Sequence, residues 1–189
     1  AIVRKLLAQG LAVTSFSRGV YPELEKLGVS QIQGNLADLK AVTDAVKNID
    51  IVYHVAAKPG VWGPYEAYYQ TNVVGTQNVL EACRIHNVQQ LIYTSSPSVV
   101  FTEGDQENID ESAPYAQKFK TAYPKTKALA EQLVRKTADS GLRTIIIRPH
   151  LIWGPEDKHI FHRVLERGHK LKIIGTNDKL VDTIYIDNA

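Results

Sequence analysis

The sequence has no methionine and one cysteine, Cys83. A lone thiol can form no internal disulfide, and Cys83, between Ala82 and Arg84 in a helical stretch, reads as a small buried hydrophobe. A reducing, cytoplasmic setting is therefore expected. No apolar run is long enough to cross a bilayer, and no signal-like segment opens the chain. Neither sign of charge dominates: 22 Lys and Arg against 20 Asp and Glu, spread along the 189 residues, argue against a nucleic-acid surface. Residues Ala1 to Gly10 look like the second half of an amphipathic helix, with Ile2, Val3, Leu6 and Leu7 as its stripe and no capping residue ahead of it. The expectation is a fragment cut inside a helix.

What the chain does have is a steady alternation of strand and helix patterns. Strands are expected at 11–16, 29–33, 51–56, 90–95 and 143–148. Helices are expected at 22–27, 39–46, 65–86 and 123–138, with an aromatic loop from Lys58 to Pro64. Strands that are largely apolar and separated by helices imply a parallel sheet covered on both faces. In such sheets ligands bind at the carboxyl ends of the strands. That rule gathers Ser17 and Arg18, Ser95 and Ser96, and Pro149 and His150 at one edge.

Tyr123-Pro124-Lys125-Thr126-Lys127 opens the helix that leads into the fifth strand. Residues i and i+4 share a helix face, so Lys127 lies under whatever Tyr123 touches. A nearby cation favours the phenolate and is expected to lower the tyrosine pKa, turning the pair into an acid and base. Pro124 suits a first turn, where no intrahelical hydrogen bond is lost. The Ser96 hydroxyl can approach the phenol. As a bare pattern, the same five residues also describe a solvent-facing helix start.

The combination of segments resembles the extended short-chain dehydrogenase/reductases, the nucleotide-dependent epimerase/dehydratase group. The matching residues are Val52 to Ala57, Thr71 to Thr76, Tyr93 to Ser96, Tyr123 to Lys127, and Arg148-Pro149 with Trp153-Gly154-Pro155. Residues 94–101 and 181–189 look most like the 3β-hydroxysteroid dehydrogenase branch, with its sterol-4-carboxylate dehydrogenases and bacterial 2-alkyl-3-oxoalkanoate reductases. The resemblance implies a Rossmann-like, doubly wound α/β fold. It divides the chain into an incomplete dinucleotide-binding domain at 1–155 and the start of a substrate-binding lobe at 156–189, where a helix is expected at 159–167 and short strands at 171–174 and 183–186. No G-x-x-G-x-x-G turn occurs, and the family's central first strand is expected to be missing ahead of Ala1. The segment alone is therefore expected neither to fold stably nor to bind cofactor.

Residue by residue, the resemblance makes Tyr123 the general acid/base, Lys127 the ribose-holding cation, and Ser96 the hydrogen-bond partner of the substrate oxygen. It places Ser17, Arg18, Asn35, Leu36, Val55, Ala56, Ala57, Thr71, Asn72, Pro149 and His150 along the cofactor, with core packing as the alternative for Ala56 and Ala57. Arg18 at the turn after a strand favours the 2′-phosphate of NADP, with NAD still allowed. Asn35 stands where the family usually has Asp. The activity implied is alcohol–ketone interconversion on an apolar 3-oxo steroid or long-chain 3-oxo acid. Alternatives are a sugar-nucleotide epimerase or dehydratase that retains its cofactor, and a non-catalytic NADP-binding regulator. The expected partner is a small molecule, with neither nucleic acid nor a membrane span, and a homodimer is left open. His159, His162 and His169 lack a completing carboxylate or cysteine, so no metal is expected. Trp62, Tyr65, Tyr68 and Tyr69 are either packing or the wall of an apolar pocket.

Overall fold

The computed structural model describes residues 1–138, 141–157, 160–170, 172 and 180–189. Their contacts divide the chain between Arg148 and Pro149, a few residues ahead of the boundary expected at 155.

In the first unit, α1 (Ile2–Ala8) precedes β1 (Thr14–Ser17), α2 (Pro22–Lys26) and β2 (Ser30–Gln33). β1 and β2 pair in parallel, Thr14 opposite Ser30. Next come α3 (Leu39–Val46) and β3 (Ile51–His54). Asp38 starts α3 because its carboxylate accepts the Ala41 N–H at 3.1 Å, satisfying an amide that has no partner within the helix. β3, β4 (Gln90–Thr94) and β5 (Arg143–Ile147) form a second parallel sheet, in that order. The five expected strands are all present, yet the sheet is interrupted between β1 and β3, where the resemblance places a central strand.

The helix expected over 65–86 is three segments in one run: α4 (Tyr65–Tyr69), a π turn at Gln70–Val74, and α5 (Gly75–Ile85). A π turn admits an extra residue without changing the apolar pattern on either side, so periodicity does not reveal it. Gly75 follows it at a point of close approach: a Cβ there would stand 2.9 Å from the Leu36 Cβ. α6 (Ala122–Ala138) completes the unit.

The core lies between one face of the β3–β4–β5 sheet and the helices. Val42 and Val46 of α3, Val79, Leu80 and Cys83 of α5, Leu91 and Tyr93 of β4, and Ala130 and Val134 of α6 pack together there. Burial pushes the Cys83 thiol up to about 12, as suits a packing residue. A smaller cluster of Val99, Val100 and Ala128 fastens the β4–α6 connection to α6. The other sheet face carries Ile51, Tyr53 and Ile145, all exposed. The helices of this core, α3, α5 and α6, thus lie against the opposite face of the sheet.

In the second unit β6 (Leu151–Trp153) pairs in parallel with β7 (Thr183–Tyr185), and Trp153 meets Tyr185 edge-on at 5.0 Å. α7 spans Ile160–Arg167. β6 was not expected, since three residues give no readable period. The strand expected at 171–174 lies outside the described residues except for Lys172.

Candidate active site

Tyr123 is the second residue of α6, and Pro124 follows it where an amide would have no intrahelical acceptor. One turn on, Lys127 is 2% exposed. Its Nζ donates to the Thr94 carbonyl at 2.7 Å and lies 4.3 Å from the centre of the Tyr93 ring. Burial pushes its pKa down to about 8, and the charge of Glu131 opposes that fall. An ammonium has three donors. Among the described residues Lys127 spends one on a hydrogen bond, leaving donors for a bound hydroxyl.

Ser96 follows β4. Its Oγ accepts the Ser98 N–H at 3.2 Å and lies 2.8 Å from the Ser98 Oγ. If the Ser98 hydroxyl also donates, the Ser96 proton is left for a third partner. Burial raises the Tyr123 pKa, while hydrogen bonding with Ser96 acts against the rise. The expectation that Lys127 would make the phenol more acidic is therefore corrected. Lys127 aims its ammonium at the Thr94 carbonyl, and desolvation dominates at Tyr123. Tyr123, Lys127 and Ser96 are still brought to one place, the carboxyl end of β4.

The expected cofactor residues divide into three groups. At the end of β1, Ser17 bonds the Gly19 carbonyl at 2.6 Å, and Arg18 is exposed. Asn35 is exposed and accepts the Ala37 N–H at 3.1 Å. Beyond β3, Val55 and Ala56 are exposed and Ala57 is half-buried, so core packing does not account for Ala56. Leu36 and Asn72 have other occupations. Leu36 packs against the core, and its carbonyl takes the Asn78 amide at 2.7 Å. Asn72, in the π turn, is 2% exposed. Its Oδ1 accepts the Lys58 N–H at 2.7 Å, and its Nδ2 donates to Thr126 Oγ1 at 3.0 Å and to the Lys58 carbonyl at 3.3 Å. The neighbouring Thr71 hydroxyl turns back to the Ala67 carbonyl at 3.2 Å. Pro149 and His150 belong to the second unit, where His150 Nδ1 stands 3.9 Å from Asp182 Oδ2.

The aromatic loop is pinned from beneath. Tyr68 is buried, and its hydroxyl donates to the Trp62 carbonyl at 2.9 Å. Gly63, at φ +139°, takes a conformation that side-chain-bearing residues rarely adopt, which lets the loop close over the Tyr68 ring. Tyr68 is thus packing, whereas Trp62 is 90% exposed and Tyr65 stands at the rim beneath Lys125 Nζ, 5.1 Å from its ring centre. Of the histidines weighed for a metal, His159 and the side chain of His162 lie outside the described residues.

Two buried networks were not singled out in the sequence. His54 Nε2 lies 2.9 Å from Thr76 Oγ1, whose proton goes to the Asn72 carbonyl at 2.6 Å, so Nε2 must be the donor. Burial and the Lys127 charge push His54 down to about 3, and it stays neutral. The second network centres on Glu131, wholly buried on α6. It accepts from Ser95 Oγ, from Tyr115 OH at 2.9 Å, and from Arg148 twice, at 2.6 and 3.1 Å. Its spacing of four from Lys127 on the same helix was the available signal.

A sequence profile of the 3-beta hydroxysteroid dehydrogenase/isomerase family matches residues 3–189. The chain belongs to this family. It is 48% identical to a 2-alkyl-3-oxoalkanoate reductase of Shewanella oneidensis, over all of this chain and 51% of that protein. It is 36% identical to the human decarboxylating sterol-4-alpha-carboxylate 3-dehydrogenase, again over all of this chain and 51% of the relative. The chain thus spans about half the length of these curated relatives. Among solved structures it is similar to MoeE5 in complex with UDP-glucuronic acid and NAD, with a TM-score of 0.81 and 29% identity over 98% of this chain and 64% of that one. It is also similar to the Thermus thermophilus UDP-glucose 4-epimerase complex with NAD, with a TM-score of 0.76 and 28% identity over 87% of this chain and 56% of that one. The fold is Rossmann-like, as the sequence implied, and the branch is the one that residues 94–101 and 181–189 indicated.

Proposed function

We propose that the intact protein is an NADP-dependent oxidoreductase that interconverts a ketone and a secondary alcohol, with a 3-oxo acid carrying a long apolar chain as its substrate. The observation that carries the reading is the buried Lys127 ammonium with unspent donors, held beside Tyr123 and Ser96 at a sheet edge. These residues fit a nicotinamide dinucleotide. Lys127 would hold its ribose hydroxyls, the exposed small residues after β3 allow close approach, and Arg18 suits a 2′-phosphate. NAD in the similar solved structures supports the nucleotide class.

When bound, the nicotinamide supplies the hydride that reaches the carbonyl carbon. Tyr123 gives its phenolic proton to the substrate oxygen as the C=O π bond breaks, so an alcohol forms and the phenolate is later reprotonated from water. Ser96 donates a hydrogen bond to the same oxygen. Burial keeps the Tyr123 phenol protonated at neutral pH, as a proton donor to the substrate oxygen must be. The substrate class rests on the reductase being more similar to this chain than the sterol dehydrogenase is, and on Trp62 presented outward by a pinned loop.

A second reading, a sugar-nucleotide epimerase or dehydratase, draws on the epimerase among the similar structures. It predicts retained nucleotide and no net NADPH consumption. The test is Tyr123→Phe in the intact protein. NADPH binding by fluorescence should persist while NADPH oxidation with a 2-alkyl-3-oxoalkanoate falls at least roughly a hundredfold, the scale of a lost general acid. Turnover at the wild-type rate would reject the assignment.

A further inference from the structure

The Glu131 network has no part in the proton transfer, yet a wholly buried carboxylate with this many partners is costly unless the arrangement holds something in place. Its partners come from four segments. Glu131 and Arg135 lie on α6, Ser95 follows β4, Arg148 follows β5, and Tyr115 belongs to the long connection between β4 and α6. The Ser95 N–H donates in turn to the Ile147 carbonyl at 2.7 Å, tying the ends of β4 and β5 together. Ser95 sits between the two residues the active site depends on: Thr94, whose carbonyl receives Lys127, and Ser96. One carboxylate thus clamps the stretch of backbone that carries both.

We propose that Glu131 is a positioning residue for this site: it fixes the Thr94–Ser96 backbone through Ser95 and Arg148 and places a negative charge one helical turn beyond Lys127. The inference rests on reading Tyr123, Lys127 and Ser96 as the reacting groups.

The groups that face Lys127 bear this out element by element. From β3, His54 is neutral, pushed down to about 3, and contributes no charge at working pH. From β4 come the Tyr93 ring and the Thr94 carbonyl, both electron-rich but uncharged. On α6 itself, Tyr123 is a neutral phenol and Glu131 an anion. Arg148 and Arg135 pair with Glu131, and Tyr115 bonds it. Glu131 is the carboxylate that raises the Lys127 pKa against burial. Without it Lys127 loses its proton at lower pH, and with the proton it loses the charge that holds a ribose hydroxyl.

The test is the pH dependence of kcat in the intact protein, with NADPH and a 2-alkyl-3-oxoalkanoate. Glu131→Gln should move the alkaline limb about one pH unit or more toward acid, the scale of a lost neighbouring charge, whereas Glu131→Asp keeps the charge and moves it less. Glu131→Gln strands the Arg148 charge and can fail to fold for that reason alone, so the double variant Glu131→Gln/Arg148→Met serves as the second arm. It should fold and show an acid shift of the same sign but smaller, since the Arg148 charge leaves with the Glu131 charge. A profile superimposable on wild type in folded Glu131→Gln, or an alkaline shift in the folded double variant, overturns the proposal. Should neither fold, Ser95→Ala removes the carboxylate's hold on β4 without stranding a charge: a severalfold fall in kcat at unchanged KM supports the proposal, and unchanged kcat overturns it. Tyr123→Phe separates the two claims. If it retains turnover, the reading of the site fails. If it is inactive while the Glu131 variants behave as wild type, the positioning role alone fails.

Discussion

At the scale of single residues, burial decides the chemistry more than proximity does. His54 shows this through stability. Its folded pKa lies near 3, below the 6.5 of a free imidazole, so on acidification the unfolded chain takes up the proton first. Stability is whole above about 6.5 and falls as pH drops toward 3. Glu131 adds a slope of the same sign lower down, since its pKa is held below the ordinary 4.5. Between pH 6.5 and 5 the intact protein should therefore lose melting temperature faster than its His54→Gln variant, which still offers Thr76 a donor. Parallel curves would show that His54 is not buried neutral. Arg18 gives a second expectation. Arg18→Glu should reduce the preference for NADPH over NADH by roughly tenfold or more, the scale of a lost charge-assisted hydrogen bond. Steady-state kinetics with both nucleotides checks it. The placements legible in the sequence were those set by local spacing, Tyr123 and Lys127 on one helix and Ser96 at a strand end. Glu131 was not legible, because a lone acid in a helix reads as surface until Ser95 and Arg148 are known to meet it.

At the scale of elements, the run from Tyr65 to Ile85 depends on its π turn. The turn carries Asn72, whose amide joins the Lys58 backbone to Thr126 on α6. Asn72→Ala leaves buried partners unmatched, at about 1–3 kcal/mol for each unsatisfied group. The melting temperature should fall, and hydrogen exchange in the loop from Val55 to Pro64 should quicken. At Gly75 two effects compete. Alanine gains up to about 1 kcal/mol of helix propensity, but its Cβ would meet Leu36 at 2.9 Å, and overpacking costs about 1–3 kcal/mol. Gly75→Ala should therefore destabilise, and the loss should shrink in a Leu36→Gly background, which removes the Cβ that is met. The helix itself was readable from its apolar spacing. The π turn and the close approach at Gly75 were not, since both depend on what packs against the helix.

At the scale of the whole molecule, the strand order and the helix-covered face place the Tyr123 site at the carboxyl edge of β4. β4 is paired on both sides and backed by α5 and α6, whereas β1 and β2 form a ladder of two. Amide exchange should be slowest in β4 and faster in β1 and β2. The alternation of strands and helices was enough to give the fold class. It could not give the interruption between β1 and β3 or the exposed face of Ile51, Tyr53 and Ile145, because periodicity describes each element and not its neighbours. The central claim concerns the bond made at this edge. Incubating the intact protein with NADPH deuterated at the transferring C4 position and a 2-alkyl-3-oxoalkanoate, then weighing the product, tests it most directly. One deuterium on the former carbonyl carbon of a 3-hydroxy acid, absent with Tyr123→Phe, is the predicted result. A product without deuterium, or nucleotide retained with no net NADPH consumed, would contradict it.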